Sequence, residues 1–173
     1  MTTVAHKPGR QLDDPKELLL GFLDYYRSVI TRKIEGLTDA ELRTSRLPSG
    51  WTPLELVKHL VYMERRWLCW GFRAEQVHDP HGDEDEAGRW HAGPGDTAAG
   101  LIARLRATGE QTRAIASAAE LTAISAPGGR FSDNDARPRP TLAWILVYVL
   151  QEYARHAGHM DVARELTDGA TGE

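Results

Sequence analysis

The sequence predicts an all-α fold, a four-helix bundle with two long crossover connections. Four segments carry apolar side chains at the three- and four-residue spacing of a helix. Apart from a short extended piece expected near Phe131, no segment shows the apolar and polar alternation of a typical sheet strand. Two connections, around residues 76–95 and 125–140, are too long to be simple turns between helices. The 173 residues are expected to form a single domain over residues 1–173, with flexible ends at 1–12 and 169–173.

Each long helix is predicted to begin just after a residue that caps helix N-termini. The clearest example is Thr52, which precedes Pro53 and has Glu55 three residues further on. The threonine and the glutamate can each bond to the other's backbone amide, and proline is well tolerated as the first helical residue. The predicted starts are at Asp14, Thr52, the pair Asp96-Thr97 and Thr141, with Thr38 before one additional short helix. The first and last helices are expected to end before Gly36 and Gly169.

The composition excludes several classes of function. Apolar residues make up 41% of the chain and charged residues 27%, as in ordinary globular domains, and the formal net charge is −4. This balance predicts no nucleic-acid partner. The longest apolar run, Leu142 to Leu150, is too short to span a bilayer, and the N-terminus has no apolar signal region. A cytoplasmic protein without a membrane partner is therefore expected.

The chain has one cysteine, Cys69, and so forms no internal disulfide, which fits a reducing compartment. Its place in the second long helix predicts a packed thiol in preference to a reactive one. The chemistry considered below does not need it as a nucleophile.

A polar stripe lies near the C-terminus, in the segment Leu150–His159. Glu152, His156 and His159 follow one another at four- and three-residue spacing, and so they lie on one face of the last helix. Apolar residues share that face: Ile145, Val149, Met160 and Ala163. A carboxylate and two imidazoles that point into a core need partners, because unpaired buried polar groups are costly. A metal ion would supply one.

A candidate metal set combines His59, from the second long helix, with Glu152 and His156 from the last. Two neutral imidazoles and one carboxylate suit zinc, with nickel, manganese or iron as alternatives, and three ligands leave one position open as in catalytic zinc sites. A di-iron carboxylate centre is disfavoured, because the spacing is Glu-x-x-x-His and occurs once. A metal-free alternative is that the three side chains form a hydrogen-bond network in the core.

Several other residues near this set have two interpretations. Glu55 lies four residues before His59 but is expected to cap its helix rather than bind metal. Arg66 could form an ion pair or hold a substrate carboxylate. The acidic loop at residues 79–86 and its neighbouring histidines are expected to be solvated, and Trp90 is expected to fold back onto the body of the protein or onto a partner.

Two segments resemble the DinB-like superfamily: Ser49–Leu60, which reads SGWTPLELVKHL, and Glu152–His159, which reads EYARHAGH. The likeness covers most of the chain and is greatest to the actinobacterial branch, which includes mycothiol-dependent S-transferases and the metal-binding domain of mycothiol-dependent maleylpyruvate isomerase. It implies a four-helix bundle in which a divalent metal, often zinc, is held by one histidine of the second helix and two groups of the fourth. His59, Glu152 and His156 occupy those places, although many relatives have histidine at the position of Glu152.

The resemblance also implies a function. The metal would bind a low-molecular-weight thiol, mycothiol, and activate it for attack on a small-molecule electrophile, as a metal-dependent S-transferase does. Beyond the metal, no catalytic group is assigned. Arg66, Tyr62 and Arg155, with Tyr153 in addition, are candidates for binding co-substrates, and His159 for orienting a ligand or replacing Glu152. The alternative is a non-catalytic metal-binding or interaction protein with the same fold; a homodimer is compatible with either, since relatives often form one.

Overall fold

The computed structural model describes residues 6–171, so the predicted flexible ends lie partly outside the described residues. The five α-helices are α1 (Pro15–Ile34), α2 (Asp39–Leu42), α3 (Pro53–Arg65), α4 (Ala98–Ser117) and α5 (Leu142–Asp168). A π-helical segment, Arg66–Phe72, continues α3 without a break. Within residues 6–171 there are no strands, only two isolated β-bridges. The prediction of an all-α protein is confirmed.

The four long helices pack side by side as a bundle. α1 packs against α4 and α5, and α3 with its π segment packs against the same two helices. The predicted apolar stripes meet in one core, with members such as Leu23, Leu60, Leu105 and Ile145 buried to 1% exposure or less. The stripe on α5 has the predicted facing, because Val149 and Met160 are fully buried.

The predicted capping residues act as expected. The Thr52 side chain accepts a hydrogen bond from the backbone N–H of Glu55 at 3.3 Å, and Glu55 Oε2 accepts one from the backbone N–H of Thr52 at 2.8 Å. Glu55 is thus engaged as a cap, in line with the prediction. At the other predicted starts a capping side chain also accepts from the first turn of its helix: Asp14, Thr38, Thr141 and, of the pair Asp96-Thr97, Thr97. α5 stops at Gly169, whose φ of 74° is a conformation that glycine adopts without strain.

The crossover between α4 and α5 docks on the π segment. The backbone N–H groups of Ala126 and Arg130 donate to the carbonyls of Phe72 at 2.9 Å and Trp70 at 3.1 Å. Gly129 approaches the π segment so closely that a Cβ atom at this position would lie 2.0 Å from the Trp70 carbonyl oxygen. Only glycine fits this approach. The second long connection is therefore fixed to the bundle, at a helical irregularity of the kind often found at functional sites.

A buried network of polar side chains ties the four long helices together. Glu64 of α3 is fully buried and accepts hydrogen bonds from Arg27 Nε of α1 at 3.1 Å, from Thr112 of α4, and from the Tyr153 hydroxyl of α5 at 2.6 Å. Burial lowers the pKa of Arg27, but its interactions with Glu64 outweigh that effect and hold the pKa above its ordinary value. The helical patterns did not predict this network.

α5 also leaves an apolar surface exposed. Trp144, Val147, Val162 and Leu166 are each about half exposed on this helix. Among the described residues, no helix combines the length and the apolar character needed to cross a bilayer. The homodimer and the cytoplasmic location stay predictions.

Candidate metal centre

The three predicted ligands meet between α3 and α5. Within residues 6–171, His59, Glu152 and His156 are the one group of potential ligands whose donor atoms all lie within 4.8 Å of one another. His156 Nε2 and Glu152 Oε2 are 3.2 Å apart, and the ring centroids of His59 and His156 are 5.1 Å apart. The side chains of the cluster are largely shielded from solvent, with exposures of 12% for His59, 12% for Glu152 and 5% for His156.

A buried carboxylate orients His59. Asp83 Oδ2 lies 3.0 Å from His59 Nδ1, and the Asp83 side chain is fully buried. Arg66 donates to both oxygens of Asp83 and, at 3.0 Å, to the carbonyl of Pro80. Burial acts to raise the pKa of Asp83, but the hydrogen bonds from His59 and Arg66 leave it below its ordinary value. An ionised Asp83 keeps a proton on His59 Nδ1, which leaves the lone pair of Nε2 available to a metal.

The two candidate ligands on α5 are held by their own neighbours. Burial is the main cause that lowers the pKa of His156 to about 3, and the proximity of His59, His159 and Arg155 acts in the same direction. The imidazole is therefore neutral at pH 7, which is the form that binds a metal. His159 Nδ1 lies 3.3 Å from His156 Nδ1. The Tyr148 hydroxyl is adjacent to Glu152, since burial and, after it, the charge of this carboxylate raise the pKa of Tyr148.

The long loop between the π segment and α4 supplies both Asp83 and Trp90. Glu84 pairs with Trp90 in an isolated bridge, and the backbone N–H of His91 donates to the carbonyl of Asp83 at 2.8 Å. The turn between Glu84 and Trp90 places the Trp90 ring against the His59 imidazole, with ring centroids 4.1 Å apart and ring planes at 21°. The prediction that Trp90 folds back onto the protein is confirmed. The prediction of a solvated acidic loop is wrong for Asp83, because Arg66 and His59 compensate its burial.

A cleft of about 550 Å³ opens beside the cluster and is called the polar cleft below. Trp51 and Trp90, whose ring centroids are 6.3 Å apart, belong to its wall, and the Trp51 ring lies 6.0 Å from that of His159. Most of its other lining residues are polar: Ser49, Glu55, Asp85, Arg89 and His91. Aromatic faces with scattered hydrogen-bonding groups are the usual surroundings of a bound small molecule.

The predicted co-substrate residues lie in different surroundings. Arg66 is buried with its guanidinium on Asp83. Tyr62 is half-buried, and Arg155 is exposed on α5. Tyr153, in contrast, is fully buried and donates to Glu64, so its hydroxyl is not available to a co-substrate.

Two residues that shape the cluster were missed from the sequence. Tyr148 lies four residues before Glu152, a helical spacing that could have revealed it. Asp83 left a weaker signal, since it and Trp90 flank a turn-forming stretch that contains Gly88. Helical periodicity gives no information on a loop residue of this kind.

The donor set fits a divalent metal. The 3.2 Å between His156 Nε2 and Glu152 Oε2 is close to the separation of about 3.3 Å expected for two ligands of a tetrahedral zinc ion. His59 presents Nε2, and His156 is neutral. The same 3.2 Å contact also suits a hydrogen bond, so the metal-free network remains an alternative.

The fold and the cluster together define a four-helix-bundle protein with a candidate centre of two histidines and one glutamate. The family model for mycothiol S-transferases matches residues 18–169 of the chain. The protein therefore belongs to the mycothiol S-transferase family, a DinB-like family, and the resemblance seen in its sequence is confirmed.

A solved structure supports the fold. The crystal structure of a conserved protein from Enterococcus faecalis matches with a TM-score of 0.61 and 20% sequence identity, covering 90% of this chain and 98% of that one. At this identity the likeness shows the fold alone. No curated protein matches the chain.

Proposed function

We propose that this protein is a divalent-metal-dependent S-transferase that uses mycothiol as its thiol substrate. The observation that carries the proposal is the meeting of His59, Glu152 and His156 in a member of the mycothiol S-transferase family. Zinc is the expected metal, with nickel, manganese or iron as alternatives. His159 would orient His156, which it contacts, or replace Glu152 as a ligand.

A metal held by these three side chains would keep a thiol ionised at neutral pH, where a free thiol of pKa about 8.5 is only a few per cent thiolate. The protein provides the setting for that chemistry. Asp83 fixes which nitrogen His59 presents, and Trp90 covers one face of its ring and limits the access of water. The polar cleft is the proposed place for the sugar hydroxyls of mycothiol.

In the transfer step the thiolate sulfur forms a bond to an electrophilic carbon of the second substrate. The thiol proton has by then passed to solvent, and the leaving group of the electrophile departs with the bonding electron pair. Arg66, Tyr62 and Arg155 remain proposals for co-substrate binding. For Arg66 the contacts support an indirect role, because its guanidinium holds the carboxylate that orients His59.

The metal content of purified protein tests the ligand assignment. We expect about one divalent ion per chain in the wild type and close to none in the double variant His59→Ala/His156→Ala, measured by inductively coupled plasma mass spectrometry. A matched control, His78→Ala/His81→Ala, removes two exposed histidines of the loop and should keep the metal. Full metal content in the first variant, with a native circular dichroism spectrum, would show that the ligands are wrong.

Conjugation of mycothiol with monochlorobimane tests the activity. The metal-loaded wild type should exceed the rate in buffer, and His59→Ala/His156→Ala should not. A metal-loaded wild type that stays at the buffer rate with a panel of electrophiles would favour the non-catalytic metal-binding protein instead.

A further inference from the structure

Arg130 is a half-buried cation held in a defined place against the π segment that continues α3. Its guanidinium carbon lies 4.3 Å from the centroid of the Trp67 ring, and its backbone N–H donates to the Trp70 carbonyl at 3.1 Å. The close approach of Gly129 to the π segment fixes the backbone at this point. Stacking and backbone contacts together position the guanidinium.

The charged contacts of this guanidinium differ from those of two buried arginines, Arg27 and Arg66. In the part of the chain that the structure describes, no carboxylate forms an ion pair with Arg130, whereas Arg27 and Arg66 each bind a buried one. Burial, followed by the positive charge of nearby Arg66, lowers the pKa of Arg130, and the Tyr148 side chain only partly opposes this. A half-buried charge without a counter-ion is unfavourable, and an anionic ligand would offset that cost.

An aromatic cleft of about 700 Å³ lies against the same tryptophan. Trp67, Phe131 and Trp144 contribute aromatic rings to it, and the Trp67 ring lies 5.8 Å from that of Phe131 and 5.5 Å from that of Trp144. The remaining lining residues come from the crossover and the cap of α5: Asp135, Ala136, Arg137, Pro138, Pro140 and Thr141. A surface of this kind accepts a planar ring by stacking.

Tyr148 connects the aromatic cleft to the metal centre. Its ring is stacked on Trp144 at 5.3 Å and 12°, and it packs on Trp67 at 4.4 Å between centroids. Its hydroxyl is adjacent to Glu152, a candidate metal ligand, since burial and, after it, the charge of this carboxylate raise the pKa of Tyr148. The polar cleft, in contrast, adjoins the histidines through Trp51 and Trp90. The two clefts thus differ in character, and each is connected to the cluster through aromatic side chains: Tyr148 for the aromatic cleft, Trp51 and Trp90 for the polar cleft.

We propose, building on the function proposed above, that the electrophilic substrate is an aromatic carboxylate, whose ring lies in the aromatic cleft and whose carboxylate pairs with Arg130. The thiol then occupies the polar cleft, and the two substrates approach the metal centre from different sides. Arg130 acts as a specificity-determining residue, since it selects an anion where Trp67 and Trp144 select a planar ring.

Two matched probes test the proposal without any thiol. Metal-loaded protein is titrated by isothermal calorimetry with 2-naphthoate and with 2-naphthamide, which has the same rings and no charge. We expect 2-naphthoate to bind about tenfold more tightly, as a charge-assisted hydrogen bond to arginine would cause. Equal dissociation constants would overturn the proposal.

Variants assign the preference to a residue. Arg130→Met keeps an apolar chain over Trp67 and should bring the ratio of the two dissociation constants close to one, while Arg130→Lys should retain part of the preference. The control Arg104→Met removes an exposed arginine of α4 and should leave the ratio unchanged. The proposal is wrong if Arg130→Met still prefers 2-naphthoate to 2-naphthamide while another variant has lost that preference. The variants to compare are Arg137→Met, at the cleft wall, and the metal-free double-histidine variant.

A second measurement decides the matter even if Arg130→Met does not fold. In wild-type protein labelled with ¹⁵N, the side-chain Nε–H signal of Arg130, assigned by its absence in Arg130→Lys, should shift with 2-naphthoate and not with 2-naphthamide. An unmoved signal at saturating 2-naphthoate would refute the pairing. Because these readouts need no mycothiol, failure of the anion site and failure of the transferase activity are observed separately.

Discussion

Two polar clusters lie within the same bundle and share α3 and α5, yet their charges are balanced in opposite ways. The carboxylate of Glu64 is matched by the guanidinium of Arg27 and by two hydroxyl groups, so every part of that cluster has a partner. The carboxylate of Glu152 faces a neutral imidazole instead, and among residues 6–171 no arginine or lysine pairs with it. The opposite charges of the first cluster balance each other. The second cluster carries a negative charge on Glu152 that a bound cation would balance.

The comparison shows that position on a helix decides the role of a polar residue more than its type does. Glu152 and Tyr153 are neighbours on α5, but the first belongs to the metal cluster and the second to the core network. On α3, His59 likewise belongs to the metal cluster and Glu64 to the core network. One network stabilises the bundle and the other is arranged to bind a ligand, and variants can separate these two tasks.

The largest effect is expected from breaking the core network. Glu64→Gln removes the charge that Arg27 faces at full burial, and the free energy of unfolding should fall by about 3–5 kcal/mol in urea titrations of metal-free protein. The folded fraction should still bind metal, because His59, Glu152 and His156 are untouched. Glu110→Gln, an exposed change on α4, is the control and should have almost no effect.

A milder variant covers the case in which Glu64→Gln does not fold. Tyr153→Phe removes one hydrogen bond to the same carboxylate and should cost about 1–2 kcal/mol. If the free energy of unfolding falls by less than 1 kcal/mol in Glu64→Gln, the core network does not stabilise the bundle, and the proposed difference between the two clusters is wrong.

The next effect is expected from weakening the metal cluster through its support. Asp83→Asn removes the charge that holds His59 in its tautomer, so metal affinity should drop about 10- to 100-fold in competition with a chelator. Glu86→Gln changes an exposed acid of the same loop and should leave the affinity unchanged. Equal affinities for wild type and Asp83→Asn would mean that the hydrogen bond does not tune the site.

The smallest effect is expected at Cys69, which belongs to neither cluster. Burial raises the pKa of this thiol to about 11, so the reactive thiolate is scarce at pH 7 and increases about tenfold with each pH unit up to that value. Reaction with Ellman's reagent should be slow in native protein and fast after unfolding. Cys69→Ala should keep both metal and activity, and a clear loss of activity in a folded, metal-loaded Cys69→Ala would assign the thiol a role that its burial argues against.

Much of the fold could be predicted because its determinants are local. The capping box of Thr52 and Glu55, and the end of α5 at Gly169, depend on residues only a few positions apart. The facing of Glu152 and His156 follows from helical spacing alone. The docking of Gly129 on the π segment gave no such pattern, since the contact joins two segments far apart in the chain.

The sequence by itself determined the helices, their caps, the apolar stripes and the polar residues within them, because each depends on a regular spacing along one helix. Only the tertiary structure decided which polar groups meet. It pairs Asp83 with His59 and Arg27 with Glu64, and within residues 6–171 it places no carboxylate in an ion pair with Arg130. Such pairings depend on how loops and helices pack, and the cost of burying a charge then determines which of them require a ligand.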